Sequence, residues 1–192
     1  MRNFLLILCA ALLFTACGSK SGILVKYDGK DIPFEAKSSW ITSQGALYGS
    51  SVKVADERHA LRWIILRNFD YQPTNALDTG GKPTADGQIK LHISLHEEPG
   101  TKPETPIKTS TFSGEKDGPM SLEFFNLTIF KDGKEESYPV SLGSQTNRKD
   151  SELKILSVTD DEITGEINFN VKAKDKELII KGPFKAKIYK GK

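Results

Sequence analysis

Apolar and polar residues alternate with a period of two along much of the chain beyond residue 22, and this constrains the fold more than any other feature of the sequence. Ile89, Leu91, Ile93 and Leu95 alternate with Lys90, His92, Ser94 and His96. Ile163, Gly165, Ile167, Phe169 and Val171 alternate with Thr164, Glu166, Asn168, Asn170 and Lys172, and Phe184, Ala186 and Ile188 with Lys185, Lys187 and Tyr189. Successive strand side chains point to opposite faces, so each stretch predicts a strand with one buried face. The runs 61–66 and 124–130 are apolar on both faces and predict strands covered on both sides. A helix competes over 55–66, but Trp63, Ile64 and Ile65 favour strand.

Turn chemistry joins these stretches. Asp28-Gly29 and Asp132-Gly133 each stand between strand-like runs and predict type I′ hairpins. The last forty residues read as a meander of strands over 152–158, 162–172, 176–181 and 183–190. The expected fold is all-β: a single antiparallel β-sandwich, or a partly open barrel, of about ten strands. Residues 69–87 and 97–106 are long connections rich in Pro and Gly, and such loops in a compact domain are either functional or mobile.

Charge is close to balanced, with 27 basic and 25 acidic residues; without residues 1–16, which include Arg2, the balance is 26 to 25. Such a surface exerts no strong field, so nucleic acid is not an expected partner. Both cysteines, Cys9 and Cys17, lie in the N-terminal segment, which excludes a disulfide, a thiolate nucleophile or a Cys-ligated metal from the body. G-x-S-x-G, H-E-x-x-H, P-loop and G-x-G-x-x-G motifs are all absent.

No candidate site stands out in the body. His92 and His96 share a strand face about 13 Å apart at ~3.3 Å per residue, too far for one metal ion. With His59, they are expected as exposed polar-face histidines. Asp160-Asp161-Glu162 and Glu97-Glu98 read as turn acids without the spacing of a calcium loop. Trp40, Tyr48 and Tyr71 are candidates for stacking on sugar or peptide, but core packing is the expected role. Eight lysines fall between 172 and 192. They suit anionic lipid head groups, but the expected reading is protection of a terminal edge hairpin against association. No catalytic residue, cofactor or metal ligand is expected.

The N-terminal segment has a different character. A basic start, Met1-Arg2-Asn3, precedes eleven uncharged, largely apolar residues, Phe4 to Phe14. A transmembrane helix needs about 20 such residues, so the run suits a signal peptide instead. It ends in Thr15-Ala16-Cys17-Gly18. This segment resembles the lipobox of bacterial lipoproteins, with Phe14 where that family usually has Leu. The resemblance implies cleavage between Ala16 and Cys17 and acylation of the Cys17 sulfur. It also implies a location in the bacterial cell envelope, in the outer membrane where there is one, because Gly18 is not Asp. Residues 1–16 are then the signal peptide, 17–22 the lipidated cysteine with a flexible linker, and 23–192 the β domain. Stretched fully, the linker reaches about 17 Å at up to ~3.5 Å per residue.

Asp28-Gly29-Lys30-Asp31-Ile32-Pro33-Phe34, Ile163-Thr164-Gly165-Glu166-Ile167 and Lys181-Gly182-Pro183-Phe184 resemble a pattern in uncharacterised envelope lipoproteins with β-sandwich folds. The expected function is a non-enzymatic binding or interaction module, held to the membrane by its lipid, for a protein or glycan ligand. The alternatives are a carboxylate-based cell-wall hydrolase and a surface adhesin or envelope assembly factor.

Overall fold

Each of the three clearest alternating stretches is a strand in the structure, a computed structural model that describes residues 22–44, 59–115 and 120–190. The expected signal peptide, Cys17, most of the linker, and Tyr48 lie outside the described residues. Eleven strands occur among those described: β1 Ile23–Tyr27, β2 Lys30–Phe34, β3 Ser38–Gln44, β4 Leu61–Arg67, β5 Ile89–His96, β6 Ser110–Ser113, β7 Ser121–Lys131, β8 Lys134–Ser141, β9 Glu152–Val158, β10 Glu162–Ala173 and β11 Lys176–Ile188. The β1–β2 and β7–β8 hairpins turn at Asp28-Gly29 and Asp132-Gly133, with positive φ at both residues of each pair, as their chemistry predicts.

The all-β expectation holds, but the strands close into a barrel in place of the expected sandwich or partly open barrel. β10 pairs with β9 on one side and β11 on the other, so the path β10-β9-β6-β7-β5-β4-β3-β11 closes on itself as eight strands. β1 and β2 extend from β11, and β8 from β7, as three additional strands. Closure depends on two long strands that change partner along one edge. β11 pairs with β1 over Leu178–Lys181, then with β3 at Lys187 and Ile188. β7 pairs with β8 over Phe124–Lys131 and with β6 at Ser121. The β11–β3 and β6–β7 contacts are parallel, so the sheet departs from the antiparallel expectation at those two seams.

The last strands also differ from the expected meander. The stretches 176–181 and 183–190 are one strand bent at Gly182, whose φ of +138° favours glycine. Pro183 falls in the gap between the β1 and β3 pairings, a place where a missing N–H is tolerated. β11 is consequently flanked on both edges. Its lysines therefore protect no edge strand, and that expectation is corrected.

The interior is apolar. Ile89, Leu91, Ile93 and Leu95 are all buried, and Phe125 of β7 stacks on Phe169 of β10 with ring centroids 4.7 Å apart. Gly165 faces inward where the β9–β10 register shifts, and the Phe184 ring fills the space a side chain would need. β4 is covered on both sides, as its composition predicts: Ile64 and Leu66 face the interior, while Ile65 and Arg67 are buried beneath the 68–88 connection.

Candidate functional site at the barrel mouth

Two arginines bracket the apolar run of β4, and neither can be left uncompensated in an apolar environment. Arg62, on the face shared with Ile64 and Leu66, is 1% exposed at the end of the barrel interior. Its Nε donates to Glu97 Oε1 at 3.0 Å. Nη1 donates to the Ser43 hydroxyl and to Pro103 O at 2.9 Å, and Nη2 to Thr105 O at 2.7 Å. The 97–106 connection is thus folded over the barrel end by one guanidinium, and Glu97 is an ion-pair partner in place of the expected turn acid.

Beside this closure lies a cleft of about 740 Å³. One wall is the loop segment Pro103–Ile107; the other is the end of β9, the β9–β10 turn and the end of β11, with Arg62 and Ser43 among the lining residues. Apolar surface comes from Pro103, Pro106, Ile107, Val158 and Ile188, and charge from Glu104, Asp160 and Lys190. The rim is braced: Tyr189 N donates to Ile41 O at 3.0 Å, Ile188 N to Asp161 O at 2.7 Å, and Lys190 Nζ pairs with Asp161 at 2.7 Å. The cleft therefore presents a preformed apolar trough with charges of both signs at its edge. Such a trough is suited to holding an amphipathic ligand.

Arg67 performs the matching role on the outer face. It is 0% exposed, and its Nη1 donates to Gly80 O at 2.7 Å, while Nη2 donates to Ser38 Oγ at 2.9 Å and Tyr71 O at 3.4 Å. The guanidinium carbon lies 4.1 Å from the Trp40 ring centroid and 4.2 Å from that of Tyr71. Burial pulls its pKa down to about 10, with the charges of Tyr71 and Asp78 opposing that shift. Burial on its own raises the Asp78 carboxyl, but the backbone N–H groups of Thr74 and Gly80 and the hydroxyls of Tyr71 and Thr74 outweigh it and hold the group below its ordinary value. The 69–87 connection is thereby fastened to the barrel wall. Trp40 and Tyr71 pack within this layer, as expected, and Trp40 is only 3% exposed.

The expectation of exposed histidines is corrected. His96 is buried, and its Nδ1 lies 2.7 Å from His59 Nε2, while its Nε2 contacts Glu123 Oε2. The two imidazoles face each other nitrogen to nitrogen, so one ring donates to the other across this contact. His92 packs edge-on against Trp63 with ring centroids 4.9 Å apart, and burial pushes its pKa down to about 4, with Lys90 adding to the effect. His92 Nε2, Trp40 Nε1, Thr42 Oγ1, Trp63 Nε1 and Arg67 Nε are buried without a hydrogen-bond partner among the described residues. All five lie on the outer face of β3, β4 and β5, as their cross-strand pairing requires.

The sequence reading missed Arg62, Arg67 and the His59–His96 contact. The arginines had a visible signal: a charge within a strand that is apolar on both faces must find partners from elsewhere. The histidine contact had none, because it depends on the path of the chain before β4. In comparisons with known proteins, the chain matches no family model, no curated protein and no solved structure.

Proposed function

We propose that this protein is a lipid-anchored component of the bacterial envelope whose barrel binds a short peptide or glycan segment, without catalysis, in the cleft at its mouth. The cleft carries the reading. Its volume of about 740 Å³ lies within the roughly 300–1,000 Å³ typical of ligand sites, and its mixed apolar and polar lining is of the usual kind. Strand ends frame it, so its geometry is largely preformed. Attachment through lipid on Cys17 rests on the lipobox-like segment 14–18. The character of the barrel wall supports it: Thr164, Glu166, Asn168 and Asn170 face outward from β10, and Lys181, Lys185 and Lys187 from β11, the reverse of a barrel whose outer wall faces acyl chains.

Pro106→Trp tests the binding role, because Pro106 is exposed, lines the cleft and makes none of the Arg62 contacts. The full chain and the variant are compared on immobilised cell-wall peptides and glycans. Retention by the wild type and its loss in a variant of unchanged melting temperature is the expected result. Equal retention by both, or turnover of any of these ligands, contradicts the reading.

A further inference from the structure

The lysines of β11 are left without their expected explanation once that strand proves to be flanked on both sides, and their position relative to the tether supplies another. The described chain begins at Gly22, which packs against Gly182 at the point where β11 exchanges β1 for β3; a Cβ on Gly182 would lie 3.0 Å from Gly22 O. Lys181, Lys185 and Lys187 project from the outer face of β11 on either side of that exit. Leu24 stands directly opposite Lys181, and Pro33 directly opposite Leu24. Leu24 is 46% exposed, one of three large apolar side chains so exposed among the described residues.

Acidic groups on the same face are partly engaged, and Glu177 makes no ion pair among the described residues. Glu162 pairs with Lys185 at 2.7 Å, Asp31 with Lys26 at 3.5 Å, and Glu152 with Lys154 at 2.7 Å, while Glu166 faces Pro183 and lies near Lys154. Lys181 and Lys187 make no ion pair among the described residues, and Lys20 lies in the tether itself. An exposed leucine set among lysines at the point of attachment is the composition of a surface that rests in the head-group layer.

We propose that the face formed by Leu24, Pro33, Lys181, Lys185 and Lys187 lies against an anionic bilayer, so that the barrel sits on its side instead of swinging freely on its linker. The proposal rests on the lipid anchor at Cys17. A tether of about 17 Å at full stretch leaves this face nearest the membrane. The cleft begins at Ile188, about 20 Å along β11 from Gly182 at ~3.3 Å per residue and next to Lys187 at the far end of this face.

The test uses the full, processed chain with Leu24→Cys, labelled with an environment-sensitive fluorophore. It is mixed with vesicles containing spin-labelled head groups, either of phosphatidylcholine alone or with one third phosphatidylglycerol. Flotation reads the anchor and quenching reads the face. Quenching at least twofold stronger on anionic vesicles, halved by Lys181→Gln with Lys187→Gln and by high salt, is the expected result. Flotation with quenching indifferent to lipid charge and to the lysines overturns the docking face and leaves the anchor standing. Failure to float with either vesicle overturns both.

Discussion

Among the described residues, His92 carries the clearest pH dependence between pH 4 and 7. Its imidazole falls to about 4 in the folded chain from an ordinary value of 6.5, because burial disfavours the charged ring. The unfolded chain therefore binds more protons between those values, and stability is lost as pH falls from about 6.5 towards 4. At about 1.4 kcal/mol per unit, the loss amounts to roughly 3 kcal/mol. Urea unfolding of the wild type and of His92→Phe between pH 7 and pH 4 tests this: the variant should lose distinctly less stability over that range. Arg67 sets a second expectation. Arg67→Met leaves Gly80 O, Tyr71 O and the Ser38 hydroxyl without their donor, at a cost of about 3 kcal/mol. Limited proteolysis should then cut within 69–87 well before the barrel unfolds. The two arginines were readable as charges in an apolar run, but four of their seven partners are loop carbonyls, and a backbone oxygen leaves no trace in residue identity.

At the scale of elements, the alternation of β5, β10 and β11 was fully legible, because a half-buried strand writes its two faces into the sequence. The hairpin turns at Asp28-Gly29 and Asp132-Gly133 were equally legible. The continuity of β11 was not. Lys181-Gly182-Pro183 carries turn chemistry, yet the strand passes through it because its edge changes partner there. Gly165 is the other such position. A Cβ there would overlap Lys154 O and lie 2.5 Å from Phe184 Cε1. Gly165→Ala should therefore cost about 2–3 kcal/mol through overpacking. Pairing it with Phe184→Leu should recover part of that loss, read as the shift in urea midpoint. Recovery would locate the strain in the ring contact, and its absence would locate it in the backbone of β9.

For the whole molecule, the sequence carried the all-β class and a near-correct strand number, but not the closure. Closing eight strands into a barrel depends on short parallel seams, two residues wide between β11 and β3 and one residue wide between β6 and β7. Contacts so brief impose no period on composition. The mouth cleft is a product of that closure together with the Arg62-held loop, so it too was invisible in the linear chain. The placement proposed for this barrel nevertheless rests on a segment that precedes the fold, through the sulfur of Cys17. Intact mass measurement of the native protein, extracted from the cells that make it, tests that proposal most directly. The account predicts a chain that begins at Cys17 and carries diacylglycerol on its sulfur. A chain that retains residues 1–16, or begins elsewhere without lipid, would contradict it.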